Sequence, residues 1–256
     1  MPIFFNEMKR GKLALIIWSA GMAAMMAITV LIFPLIEPMM SSLGEAYMDF
    51  GFDMSSIEMD FMSYIASEFA ELMTLCGAIY AGIIASSALS GEERGRTAEF
   101  LLSHPVSRTR VAAEKMFYVF NCLFIFSLSS LVLTYASVLV IGEEIEFVKM
   151  LLLFASCFAI QLEVAGICFL FSATVRANGI GFAIGFSLLM YVLQLVSTMG
   201  EKLKFLNYFT PYSMCSTAEI IENGRLDWKY CIVWPVIAIA SVIFAVLYYK
   251  KKDIYC

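Results

Sequence analysis

The sequence predicts an all-α integral membrane protein with six transmembrane helices, and three observations carry that prediction. Apolar residues make up 61% of the chain and the mean hydropathy is +0.82, whereas soluble domains hold roughly 45–50% apolar residues. Six apolar runs are each long enough to cross a bilayer, which takes about 20 helical residues. The charges are sorted into the segments between those runs. With no recognisable soluble insert, residues 1–256 read as a single transmembrane domain.

Residues 1–12 place Ile3, Phe4, Phe5 and Met8 on one side of a helical wheel, followed by Lys9, Arg10 and Lys12. This pattern predicts an N-terminal amphipathic helix lying at the inner membrane interface. Residues 13–36 are apolar throughout and form the first span. The run is longer than a signal-peptide core and no small-residue cleavage site follows it, so it reads as retained. Residues 37–69 carry Glu37, Glu45, Asp49, Asp53, Glu58, Asp60 and Glu68 without a single Lys or Arg, interleaved with aromatic and aliphatic residues. They read as an acidic outer loop with a short amphipathic helix.

The second span is expected over 70–90 and the third over 116–141, closed by the turn Gly142-Glu143-Glu144. The fourth follows over 150–172 and the fifth over 179–199. In the mixed segment 200–229, Pro211 breaks regular structure and Asn223-Gly224 marks a turn. The sixth span covers 230–249, and Lys250, Lys251 and Lys252 stop it.

Six spans put both ends on one side. If the ends are cytoplasmic, the inner segments hold 12 of the 17 Lys and Arg residues, as the positive-inside rule requires. The outer segments hold Lys149, Lys202, Lys204, Arg225 and Lys229. The basic residues lie in short flanks rather than in a groove-forming patch, which argues against a nucleic-acid partner.

The densest charge in the chain lies between spans two and three, from Gly91 to Arg110. Gly95 is suited to breaking a helix, Thr97 to capping a new one, and Glu99 to the start of that helix, where negative charge is favoured. Phe100, Leu101 and Leu102 form an apolar knob. Pro105 stops the short helix and Ser107 is placed to cap the third span.

This stretch resembles the first cytoplasmic loop of the second large superfamily of ABC exporter permeases, those of the type V exporter fold. Such loops carry an acidic pair, a Gly-Thr step, leucines, a Pro-Val-Ser-Arg step and a Lys at the third span. Here these are Glu92-Glu93, Gly95 and Thr97, Leu101-Leu102, Pro105-Val106-Ser107-Arg108 and Lys115. Arg96 separates Gly95 from Thr97, where adjacency is common. The order of features along the whole chain matches as well, although only this motif is specific.

The resemblance implies a bacterial cytoplasmic-membrane permease, with both termini cytoplasmic and a coupling helix that docks on a separate ATP-binding cassette subunit. It assigns that contact to Glu92, Glu93, Arg94, Gly95, Arg96, Thr97, Glu99, Phe100, Leu101, Leu102, Pro105 and Arg108. It also implies a second permease copy, identical or similar, with the second and fifth spans at the dimer interface. No G-x-x-x-x-G-K-[ST] occurs, so the chain has no phosphate-cradling loop of its own. ATP and Mg would be held by the partner, and this chain is expected to carry no cofactor and no catalytic set. An amphipathic peptide, a toxin or another hydrophobic compound is the expected substrate.

Other residues are candidates beside their blander readings. Glu163 lies mid-span, where a carboxylate needs a partner, water or a proton. It is a candidate for the translocation path or a hydrogen-bonded packing residue, with Gln161, Asn121 and Gln194 as polar partners. Gly181 and Gly185 form a G-x-x-x-G that allows close helix approach and so dimer contact. Of seven cysteines, none forms a C-x-x-C pair, and most read as small buried hydrophobes. Cys215 and Cys231 both fall near the outer face and are a candidate pair.

His104 is the single histidine, which argues against a multi-histidine zinc site or a Ser-His-Asp triad. A glutamate-type intramembrane protease is opposed by Thr97 standing where the E-E-x-x-x-R motif has Arg. A motor-independent secondary transporter is the alternative. The halves 1–128 and 129–256 show none of the repeat such folds often carry.

Overall fold

A computed structural model of the chain describes residues 2–49, 61–95, 107–175, 178–226 and 230–252. Helices dominate the described residues in this order: α1 (Pro2–Asp49), α2 (Phe61–Ala88), α3 (Ser90–Arg94), α4 (Arg108–Ile141), α5 (Phe147–Thr174) and α6 (Ile180–Thr198). Two 3₁₀ segments (Glu201–Phe209 and Pro211–Met214), α7 (Thr217–Asn223) and α8 (Tyr230–Lys251) follow. Six of these helices are long and apolar enough to cross a membrane, namely α1, α2, α4, α5, α6 and α8.

The expected boundaries hold at several punctuation marks. The Ser107 hydroxyl accepts the Arg110 N–H and caps α4. Gly142 (φ 79°) ends α4 and Gly224 (φ 60°) ends α7, both in the left-handed region that glycine adopts without penalty. Two expectations are corrected. The N-terminal segment is not a separate interfacial helix but the first turns of α1, which run unbroken into the first span. Its inner face is seated on α4: Ile3 is buried, and Gly11 lies so close to Tyr118 that an added Cβ would collide with the phenol. The acidic outer segment is also more helical than expected, since Glu37, Glu45 and Asp49 ride on the end of α1. At 48 residues, α1 is about 72 Å long, well beyond the hydrocarbon core. The short amphipathic helix read within 37–69 falls largely on residues outside those described.

Two helices, α2 and α5, form the centre and are the most buried of the six. Each has glycine where a neighbour comes closest. Gly77 makes room for Gln161, and Gly82 for Ala183 of α6. Gly166 of α5 meets the backbone of Ala238 in α8. Around that pair, α1 packs on α4, α6 on α2, and α8 on α5. The outer faces of α6 and α8 remain open and apolar.

A polar tie crosses the centre. Ser127 of α4 donates to Gln161 Oε1 at 2.8 Å, and Gln161 Nε2 donates to the Met73 carbonyl at 3.4 Å. In a medium without water, such cross-helix hydrogen bonds fix register.

Candidate functional site

One end of the bundle gathers the charge. Lys115 of α4 is almost fully buried, yet its ammonium has three acceptors. Glu7 Oε1 of α1 lies at 3.1 Å, Glu92 Oε1 of α3 at 2.8 Å and the Ala88 carbonyl of α2 at 2.6 Å. An ammonium has three N–H donors, so this arrangement satisfies all of them and joins α1, α2, α3 and α4 at one atom. The Glu92 Oε2 atom is buried with no hydrogen-bond partner among the described residues. Burial pushes the Glu92 carboxyl above its ordinary 4.5, and the Lys115 charge only partly offsets this.

The neighbouring acid serves the other helix end. Glu114 Oε2 accepts the backbone N–H groups of Ile3 and Phe4 at 3.1 and 3.2 Å. Those N–H groups belong to the first turn of α1 and have no partner within their own helix. Glu114 Oε1 pairs with Arg110 at 3.0 Å. Glu114 and Lys115 are adjacent, about 100° apart around α4, so one side chain caps α1 while the other draws in α3.

Two further contacts complete the frame. Ser172 of α5 accepts the N–H groups of Leu89 and Ser90 at 2.8 and 3.0 Å, which holds the joint between α2 and α3. Arg108 donates to the Lys252 carbonyl just past α8. The flanks of segment 96–106 are thus tied to α1, α2, α4, α5 and the C-terminal end of α8. The first turn of α1 and Lys252 thus lie at the same end of the bundle as Arg108.

Of the residues named from sequence, Glu92 and Arg108 belong to this frame, and the backbones of Glu93 and Arg94 lie in α3. Span two ends at Ala88, within the expected bound, where Ser172 accepts the next two backbone N–H groups, and Gly95 is the turn residue that follows α3. Arg96, Thr97, Glu99, Phe100, Leu101, Leu102 and Pro105 lie outside the described residues, and with them the expected coupling helix. Sequence reasoning missed Glu7, Glu114 and Ser172. The available signal for Glu114 was an acid beside a Lys at the mouth of an apolar run.

Glu163 sits inside α5 with 2% exposure, and neither carboxylate oxygen has a hydrogen-bond partner among the described residues. The three expected partners are engaged or placed elsewhere. Gln161 lies about 200° around the helix from Glu163 and bonds toward α2 and α4. Asn121 bonds its own helix at Phe117, and Gln194 belongs to α6. Gly181 and Gly185 lie on the open face of α6 with nothing within 4 Å of an added Cβ. The cysteine beside Cys215 is Cys157, with sulfurs 3.8 Å apart. The Cys231 side chain lies outside those described.

The family described as the C-terminal domain of the multidrug efflux system permease Rv1217c matches residues 7–250. No curated protein matches the chain. The matched span runs from Glu7 in the Lys115 cluster to the last turn of α8, taking in all six apolar helices, and the chain therefore belongs to this family of efflux permeases.

Proposed function

We propose that this chain is the membrane half of an ATP-driven exporter. It pairs with a second permease copy, identical or similar, and works with a separate ATP-binding cassette subunit that holds ATP and Mg. The chain itself is non-catalytic. The observation that carries this reading is the frame around Lys115. A segment meant to pass force from a soluble motor into the membrane must be rigidly joined to the helices it moves. The flanks of segment 96–106 are joined to five of the six apolar helices by buried ionic and backbone contacts.

The docking residues are Glu92 to Arg108. Phe100, Leu101 and Leu102 supply the apolar anchor, since burying one such side chain is worth roughly 1.5–3 kcal/mol. Arg96 and Glu99 supply rim charges, worth about 1 kcal/mol or less each when exposed. The end of the bundle that carries Lys115 faces the cytoplasm of a bacterial cell membrane, following the 12-to-5 basic split. Hydrophobic or amphipathic compounds are the exported class. Glu163 serves the transport path only if α5 and α8 separate, because Gly166, on the same face of α5, is closed against Ala238.

The test is purification of the permease with its ATPase. Phe100→Ala, Leu101→Ala and Leu102→Ala together should release the ATPase or abolish substrate-stimulated hydrolysis, and Arg96→Ala should do less. Unchanged retention and hydrolysis in the triple variant would remove the docking assignment.

A further inference from the structure

At the opposite end of the bundle from Lys115, α2, α6, the second 3₁₀ segment and α7 enclose a cleft of about 200 Å³. Its polar lining includes Glu71 and Thr74 of α2, Tyr191 and Gln194 of α6, Tyr212, and Thr217 of α7. Among the described residues, neither Lys, Arg nor His lines it. Gln194 Oε1 is shut away from solvent and has no hydrogen-bond partner among the described residues. The rings of Tyr191 and Tyr212 stand edge to face with centroids 5.9 Å apart. The Tyr212 ring is held in place, since its hydroxyl donates to the Ser187 carbonyl at 3.3 Å. Thr210 likewise donates to the Met190 carbonyl at 2.9 Å.

We infer that this cleft receives the ammonium head of an amphipathic cation. The solvent-exposed carboxylate of Glu71, an amide oxygen and two aromatic rings, that of Tyr212 held by its hydroxyl, are groups that attract an ammonium. An anion would find no cationic partner in the lining. The cleft is smaller than the 300–1,000 Å³ usual for a drug-sized ligand, so it suits a head group and leaves the remainder outside. Leu195 lines it and is 41% exposed, and Val192 and Leu188 continue the same apolar surface along α6. An alkyl or aryl tail can follow that surface. The inference rests on the efflux reading for its physiological meaning, but it can be tested as binding alone.

The experiment measures saturable binding of tritiated decyltrimethylammonium to the purified full chain in maltoside micelles, with decyl sulfate as competitor. The wild-type chain should bind saturably and resist competition by decyl sulfate. Glu71→Gln should weaken binding at least tenfold and Gln194→Leu several-fold, with thermal unfolding unchanged. Glu144→Gln, at the exposed turn after α4, should bind as wild type. If Glu71→Gln fails to fold, Gln194→Leu and Tyr191→Ala decide the matter. No saturable binding, binding indifferent to these substitutions, or equal competition by decyl sulfate would each overturn the inference. The assay needs no ATPase. Binding that survives while the Phe100, Leu101 and Leu102 variant still retains its motor would reject the docking reading and leave the cleft standing.

Discussion

Replacing Lys115 with Met is the sharpest perturbation of the frame. Methionine keeps much of the side-chain volume but removes the charge and all three hydrogen bonds. Glu92 is then left buried without a counter-charge, and Glu7, which is more exposed, is left beside it. Breaking a buried ion pair by removing one partner costs about 3–5 kcal/mol. The low end applies here for two reasons. Glu7 can turn toward water, and the Glu92 carboxyl, already pushed up by burial, can take up a proton once Lys115 is gone. The expected loss is therefore about 3 kcal/mol, read as the change in unfolding free energy in mixed micelles titrated with dodecyl sulfate. The pairwise part comes from a cycle with Glu92→Gln, where the double variant should be about 1–2 kcal/mol more stable than the two single losses predict. ATPase retention should fall with Lys115→Met as well, because α3 is no longer held to α4. A stability loss under about 1 kcal/mol, the size of an exposed pair, with no coupling to Glu92, would refute the reasoning.

The remaining predictions address other parts of the molecule. Burial raises the Glu92 carboxyl, so the folded protein holds that proton more tightly than the unfolded chain. Glu92 therefore removes stability as pH climbs from below 4.5 through the raised value. Glu92→Gln should flatten that part of a stability profile recorded over roughly pH 4 to 7; an unaltered slope would exclude Glu92 as its source. Gly82→Leu should destabilise the monomer by about 1–3 kcal/mol, because even its Cβ would meet Ala183 at 2.9 Å. Gly181→Leu with Gly185→Leu should leave monomer unfolding unchanged but weaken cross-linking between copies, and intact cross-linking would take those glycines out of any interface. With copper phenanthroline as oxidant, peptide mapping should find Cys157 joined to Cys215, whose sulfurs are 3.8 Å apart. A Cys215–Cys231 link instead would contradict the packing of the outer segment. In intact cells with native cysteines replaced, Phe50→Cys should label with an impermeant thiol reagent and Arg96→Cys should not; the reverse pattern would invert the membrane orientation.

The parts of this architecture that were legible in sequence depend on solvent and on local geometry. A helix in lipid must satisfy its own backbone and present apolar side chains, so the spans appear as runs. Ser107, Gly142 and Gly224 act within a turn of their own position, so their roles can be read from their neighbours. What was not legible depends on distance along the chain. Glu114 caps the first turn of a helix at Ile3, 111 residues earlier, and Ser172 holds a backbone joint 83 residues before it. No periodicity encodes either contact. The N-terminal segment shows the difference most clearly. Its wheel is amphipathic, which by itself places it flat on a membrane surface. Glu7 and Gly11 reverse that outcome, because one finds a buried Lys and the other admits a tyrosine. An isolated amphipathic helix has only lipid headgroups to choose from. This one has a complementary protein surface on α4, so it stands in line with its span and becomes part of the frame. The same reasoning separates the glycines. Gly181 and Gly185 carry the recognisable spacing, yet among the described residues the close approaches fall at Gly11, Gly77, Gly82, Gly166 and Gly179, three of them on the buried faces of α2 and α5. A small-residue spacing marks where helices are able to meet, and only the arrangement of the other five helices decides which of them do.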